Sequence, residues 1–381
     1  MRGPVVWLHC GMSFTKMSAR ANFTRDLTAT ACGVLPVVTV AQSQRANLAS
    51  ARFATTEVES CTFPGVTPEE CSVTPSKKKP FFHAYPGALA YSFGMLGCDL
   101  HCGYCQNWVT SQALRDAKAV VQPLAATPER LVQQALQQGA KILVSTYNEP
   151  LITSEWAVAV FREARAAGLL TAFVSNGNGT PQVLEYLRPW VDLYKVDLKS
   201  FDDRHYHQLG GRLQPILDTI RRLHEMGFWL EIVTLVIPGF NDSDDELQRL
   251  TEFIASVSTD IPWHATAFHK DYKMTDPDNT RAEVLMHAGV IGRRSGLRYV
   301  YAGNLPGQVG DLENTRCHNC QHVLIQRHGY LVTGYHLTSD GCCPSCGTRV
   351  PGKWAREFQA QITAHPFVPR ARSSLLTILG A

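Results

Sequence analysis

The chain has 381 residues, 45% of them hydrophobic and 18% charged, with a formal net charge of +3. Charge this close to balance, with no Lys/Arg block longer than Lys77 to Lys79, leaves no electrostatic case for nucleic acid as the main partner. No apolar run reaches the roughly 18 residues of a transmembrane helix, and the length is ample for one barrel-sized domain with appendages.

In chain order, residues 1–50 carry five Arg/Lys and one acid, Asp26, with the basic MSARANFTR ahead of the weakly apolar ACGVLPVVTVAQS. This fits either a degenerate export signal or a variable extension, and Met12 and Met17 leave the start codon open. From 50 to about 80 the chain is rich in Ser, Thr, Pro and charge without a period, as expected of a linker. Cys61 and Cys71 lie there, as free thiols or as metal ligands. Residues 1–76 thus form an irregular N-terminal extension.

From Ala88 onward, short apolar runs (ALAYSF, KILVST, LTAFVS, VDLYKVDL, LEIVTLVI, WHATAF) alternate with longer helical patterns such as SEWAVAVFREARAAG and LQPILDTIRRLHEMG. Six strands with intervening helices mark an α/β fold with a parallel sheet. Thr127-Pro128 and Thr180-Pro181 open helices, since Thr caps free amides and Pro suits the first turn; Gly139, Gly168 and Gly227 close helices. Residues 77–305 are therefore read as a partial (β/α)6 TIM-like barrel, with a doubly wound open sheet as the runner-up. In both, ligands gather at the C-terminal ends of the strands. After Leu305 the alternation breaks, and residues 306–381 form a Cys-rich, zinc-ribbon-like module and tail.

Seven of the twelve cysteines fall in two tight groups, which favours metal binding in a reducing compartment, the cytoplasm, over a disulfide framework. The first group, in LGCDLHCGYCQNW, places Cys98, Cys102 and Cys105 in the loop after the first strand. Purely structural metal sites close with four protein ligands, so three thiolates point to an open site that does chemistry. Soft thiolates select iron-sulfur clusters or zinc. The second group, Cys317-x2-Cys320 and Cys343-x2-Cys346 with 22 residues between, reads as a closed four-thiolate site for zinc, or for rubredoxin-like iron or a second cluster.

Other residues meet at the same strand ends. Glu149 follows the second strand in STYNEP, as a ligand or as a helix N-terminal acid. In YKVDLKS, Lys195, Asp197 and Lys199 share one strand face, either lining the lumen for a polar ligand or pairing at a solvated strand end. His264 lies on the sixth strand, His101 reads as a loop residue, and SNGNGT has too few glycines for a dinucleotide fingerprint.

The C-x3-C-x2-C spacing with Tyr104 before the last cysteine resembles the radical S-adenosylmethionine (SAM) superfamily. That resemblance implies a [4Fe-4S] cluster on Cys98, Cys102 and Cys105, whose fourth iron takes the methionyl amine and carboxylate of SAM. Reductive cleavage then gives a 5′-deoxyadenosyl radical. The resemblance makes Glu149 the acceptor of the methionyl amine, although Tyr147 and Asn148 stand where the superfamily has glycines. It also implies SAM contacts by Tyr104, Asp197, Lys199 and His264, as in activases of glycyl-radical enzymes.

Together with KKKPFFHAYPGALAYSFGM, IPWHATAFHKDYKM, YVYAGNLPG and the cysteine tail, these motifs look like the AmmeMemoRadiSam system radical SAM proteins, relatives of pyruvate formate-lyase activating enzyme, from about Lys77 to Trp354. The resemblance implies a low-potential ferredoxin or flavodoxin as electron donor and Memo-like and AMME-region proteins as associates, and it does not settle the substrate. The first 75 residues do not show the paired cysteines many members carry. The expected function is therefore hydrogen-atom abstraction from a protein or a small molecule; the alternative is a noncatalytic iron-sulfur and zinc-binding adaptor.

Overall fold

Seven parallel strands, each but the last leading towards a helix, carry the fold. The computed structural model describes residues 63–66, 72–75, 81–120, 124–329 and 331–354. The readings of residues 1–50, of Cys61 and Cys71, and of the tail beyond 354 lie outside these residues.

Two short strands come first, β1 (Phe63–Val66) and β2 (Ser72–Pro75), followed by β3 (Leu89–Phe93), α1 (Trp108–Ser111), β4 (Leu124–Ala126) and α2 (Pro128–Gln137). Then β5 (Ile142–Ser145), α3 (Ser154–Ala166), β6 (Leu170–Ser175), α4 (Pro181–Leu187) and β7 (Leu193–Asp197) alternate. After α5 (Asp203–Gln208) and α6 (Leu213–Glu225) come β8 (Trp229–Val236), α7 (Asp244–Val257), β9 (Trp263–Ala267), α8 (Ala282–Arg294) and β10 (Val300–Gly303). The sheet order is β10-β9-β8-β7-β6-β5-β3-β2, parallel from β10 to β3, with β2 antiparallel on the edge. β1 and β4 form a separate antiparallel pair. This is a partial barrel of the kind expected, with seven parallel strands rather than six. The seventh, VYAG, pairs Val300 with Trp263 and is only four residues long, too short to show a period.

The helices begin and end for the local reasons read from the sequence. Thr127 and Thr180 each accept an amide hydrogen bond three residues on, from Arg130 and Val183. Gly139, Gly168 and Gly227 sit just past helix ends at φ +74°, +77° and +77°. The amphipathic helices bury Leu131, Phe161, Leu184, Ile220, Leu250 and Leu285 against the outer face of the sheet in one continuous core.

The C-terminal segment forms a three-stranded antiparallel sheet of β11 (Thr315–Arg316), β12 (Val323–His328) and β13 (Leu331–Tyr335). Its Leu324, Ile325, Val332, Leu337 and Val350 pack with Phe82, Tyr299 and Tyr301 of the barrel. Each fully buried aromatic in this seam contributes roughly 2–3 kcal/mol. The segment before β3 is clamped from both sides: Tyr85 N–H donates to the Lys353 carbonyl at 2.9 Å and Lys353 N–H to the His83 carbonyl at 2.7 Å. The ribbon module therefore forms part of the barrel's wall.

Candidate active site

At the C-terminal ends of the strands, one cavity of about 580 Å³ is lined by every residue singled out for the cluster and its cofactor: Cys98, Cys102, Cys105, Tyr104, Glu149, Asp197, Lys199 and His264. They come from the loop after β3, the end of β5, β7 and β9.

The cysteine loop is held from several directions. His101 N–H donates to the Leu209 carbonyl at 2.9 Å, and Lys273 N–H, from the loop after β9, to the Gly103 carbonyl at 2.9 Å. The Arg115 guanidinium donates to the Leu100 carbonyl at 2.9 Å and to that of Cys98. The His101 side chain is exposed and lies against Gly210, consistent with a loop role. Leu100, Leu209, Ile237 and Phe268 make an apolar bed around Cys102 and Tyr104.

Burial pushes the Cys102 thiol up to about 11, and burial with the Asp99 charge pushes Cys98 up as well. Such thiolates need a bound cation to ionise. Cys98, Cys102 and Cys105 all line the one cavity. Three thiolates on one open cavity fit a multi-iron cluster with a vacant corner.

Glu149 is buried, and its carboxylate accepts from Leu151 N–H at 3.0 Å, Ser175 O–H at 2.7 Å and Asn176 N–H at 2.7 Å. It caps the 3-10 turn Pro150–Thr153, as the helix N-terminal reading expects, and lines the cavity at once. Burial, then the neighbouring Asp99 charge, lifts its carboxyl to about 8. A hydrogen-bond donor bound in the cavity would favour its ionised form. Tyr147, at a position where the resemblance implies a glycine, stands at φ +74°, a conformation glycine adopts freely.

Asp99 is a site residue the sequence did not single out. Asn176 and Asn178 donate to its two oxygens at 2.6 and 2.7 Å, which ties the loop after β6 to the cysteine loop and explains the SNGNGT run. The partners lie 77 and 79 residues apart, beyond the reach of local pattern.

On β7 and just past its end, Lys195, Asp197 and Lys199 line the cavity together: Asp197 pairs with Lys195 through one oxygen and with Lys199 at 3.6 Å through the other. The two ammonium groups hold the Asp197 carboxyl below its usual range against the opposing effect of burial, which is the larger single influence. Lys195, not singled out beyond its strand face, is itself buried and lines the cavity.

His264 stands between the two roles considered. It lines the cavity, and it also belongs to a buried network in which its Nε2–H donates to Glu231 at 2.8 Å while its ring stacks on Tyr301, centroids 5.1 Å apart. Glu231 also accepts from Phe82 N–H, His83 N–H and Trp229 Nε1–H at 2.8, 2.9 and 3.1 Å, which saturates its oxygens.

The second cysteine group converges. The sulfurs of Cys317, Cys320, Cys343 and Cys346 lie within 4.8 Å of one another, with Cys317–Cys346 and Cys320–Cys343 at 3.6 Å. Bonds of about 2.3 Å to a tetrahedral ion place sulfurs about 3.8 Å apart, so the four thiols fit one metal ion. Hydrogen bonding by Thr348 lowers the Cys346 thiol to about 6, readying it for a metal. Gly347 turns the chain after the last ligand at φ +71°.

Residues 94–253 match the family model of the radical SAM superfamily. The chain is 32% identical over 281 residues to an uncharacterized protein of Methanocaldococcus jannaschii, covering 73% of this chain and 82% of that one. It is 28% identical over 200 residues to the pyruvate formate-lyase-activating enzyme of Staphylococcus epidermidis, covering 49% and 78%. Among solved structures, a domain of pyruvate-formate lyase-activating enzyme from Bacteroides vulgatus aligns with TM-score 0.38 and 23% identity, over 42% of this chain and 98% of that one. Streptococcus suis SuiB bound to S-adenosylmethionine aligns with TM-score 0.43 and 16% identity, over 55% and 48%.

Proposed function

This chain belongs to the radical SAM superfamily and is an enzyme of that class, and on that premise we propose that Cys98, Cys102 and Cys105 hold its [4Fe-4S] cluster while Tyr104, Glu149, Asp197, Lys199 and His264 hold SAM. The single observation that carries this assignment is the convergence of all eight residues on one cavity. When bound, the reduced cluster and SAM supply a 5′-deoxyadenosyl radical that abstracts a hydrogen atom from the substrate. The chain's own part is to bind, orient and exclude water. The buried Glu149 carboxyl group accepts a hydrogen bond from the methionyl amine, and Lys199, electrostatically close to Cys102, offers a cation to the methionyl carboxylate. Asp197 keeps both lysines charged and aimed into the lumen. The apolar bed of Leu100, Ile237 and Phe268 keeps water from the reacting atoms.

Within the superfamily, the motifs from Lys77 to Trp354 support an AmmeMemoRadiSam system protein with Memo-like and AMME-region proteins as associates. Members of the class need a reductant, and a low-potential ferredoxin or flavodoxin is the proposed donor. Zinc is the proposed ion of the four-cysteine site, and the abundance of free thiols supports a cytoplasmic, reducing setting. The hydrogen donor is a protein glycine, as in glycyl-radical activation, or a smaller group. The C-terminal segment brings Pro306, Glu313 and Gly329 to the cavity, which supports a part for it in holding the substrate.

The assignment is tested by electron paramagnetic resonance of the reconstituted, reduced protein. Addition of SAM should change the cluster spectrum of the wild type and do so at least about tenfold less readily in Asp197→Asn. A spectrum indifferent to saturating SAM would overturn it.

A further inference from the structure

Resting on that reading, one carboxylate of the cavity remains without a task. Glu313 is the last residue of the 3-10 turn Gly310–Glu313, is 7% exposed, and lines the cavity. Its oxygens accept from Gly307 N–H at 3.3 Å, in the loop after β10, and from Gly329 N–H at 2.9 Å, between β12 and β13. A carboxylate offers about four acceptor positions, so two amides leave it half engaged. It makes no salt bridge among the described residues. The charges around it are committed. Arg327 donates to the Glu313 carbonyl at 3.2 Å, to Thr315 Oγ1 at 2.8 Å and to the Phe82 carbonyl at 3.0 Å. That one guanidinium also feels Glu231, so two buried carboxylates share it. Lys195 and Lys199 are paired with Asp197. Glu313 is hydrogen-bonded to none of the residues assigned to the cofactor. A buried carboxylate with spare acceptor capacity on a cavity wall calls for a charged donor from outside.

We propose that Glu313 is a specificity-determining residue that accepts the hydrogen bonds of a cationic nitrogen group, an ammonium or guanidinium, on the substrate. The ribbon module then supplies the substrate-binding wall, while the barrel strands supply the cofactor wall. The same chemistry is carried by a free amine and by a Lys or Arg side chain of a protein.

The test uses the full chain, reconstituted anaerobically with iron and sulfide, reduced with dithionite and saturated with SAM. The probes are Nα-acetyl-lysine and Nα-acetyl-arginine methylamides against their neutral counterparts from norleucine and citrulline, and the same four side chains at the centre of Gly-Gly-X-Gly-Gly peptides. The readouts are the rate of 5′-deoxyadenosine formation and the thermal unfolding midpoint as probe is added. At least one cationic probe should half-saturate at a concentration about tenfold or more below its neutral partner, the range for a charge-assisted hydrogen bond. Glu313→Gln should cut that preference to under about twofold, and Glu313→Asp, which keeps the charge, should retain it. The format that binds better, methylamide or peptide, distinguishes a small amine from a protein side chain. No cationic preference in any pair, or a preference that survives in Glu313→Gln, overturns the proposal. If the wild type forms no 5′-deoxyadenosine at all, the radical reading has failed, and the unfolding midpoints still decide the role of Glu313.

Discussion

Lowering the pH from 7.5 to 5.5 should weaken the fold through one imidazole, that of His83. The ring is fully buried, with Nδ1 at 2.7 Å from the Pro351 carbonyl and Nε2 at 2.6 Å from the Tyr301 hydroxyl. A carbonyl only accepts, so Nδ1 carries the hydrogen and Nε2 accepts from Tyr301. The tyrosine oxygen in turn lies 2.9 Å from Thr315 Oγ1, which receives Arg327 Nη1–H at 2.8 Å. All the donors in this chain point one way, and a second proton on Nε2 would oppose them and add a cation beside Arg327. Burial accordingly lowers the imidazole to about 4 from 6.5. The unfolded chain takes up a proton below pH 6.5 that the native state refuses until about 4, so stability falls as pH drops through that window and levels off below it. The full displacement corresponds to about 3 kcal/mol, of which about 1 kcal/mol is lost by pH 5.5. Urea unfolding of the metal-loaded chain and of His83→Asn isolates this contribution. The asparagine amide keeps the donor to Pro351 and does not titrate, but it leaves the Tyr301 hydroxyl without its acceptor, at a cost of about 1–3 kcal/mol at pH 7.5. His264, also depressed by burial, titrates in both proteins and cancels. The wild type's advantage should therefore narrow by about 1 kcal/mol at pH 5.5. An advantage that stays constant or widens would refute the reasoning.

Three further outcomes follow from the geometry. Cys343→Ser should release one metal ion per chain, read by elemental analysis, and lower the unfolding midpoint by more than about 5 °C, because the ribbon that it staples packs on Tyr299 and Tyr301. Gly177→Ala places a Cβ 2.8 Å from Val196 Cγ1 and 3.1 Å from Ile216 Cγ2 at φ +80°; it should cost about 2 kcal/mol, a fall of roughly 5 °C by calorimetry. If Glu149 accepts from the methionyl amine, Glu149→Gln should weaken SAM binding about tenfold or more in equilibrium dialysis of the reconstituted protein.

The sequence was most informative where structure depends on local chemistry. The strand runs, the Thr-Pro helix starts and the glycine stops are each set by residues a few positions apart, and they stand where the periodicity put them. The strand β10 and the helix α8 were not resolved from the pattern. The first has four residues, and the second is interrupted by Gly289 and Gly292, which are there because Leu312 and Trp263 press within 3 Å of where a Cβ would be. The cysteine spacing marked out two groups, of which the first lines the cavity and the second converges within 4.8 Å, and period two put Asp197 and Lys199 on one cavity wall. Contacts between distant segments were hidden: Asp99 with Asn176 and Asn178, Glu231 with Phe82 and His83, and Glu313 with Gly329 join residues that no short window contains. His264 illustrates the limit, since its cofactor-facing and core-network roles differ only through Glu231 on the neighbouring strand.

The central claim, that the cavity above Cys98, Cys102 and Cys105 performs radical chemistry, is tested most directly by product formation. The wild type is reconstituted anaerobically with iron and sulfide, reduced with dithionite in the presence of SAM, and assayed for 5′-deoxyadenosine and methionine beside Cys102→Ala. The account predicts both products from the wild type and neither from the variant. A wild type with an intact [4Fe-4S] cluster that forms neither product would contradict it.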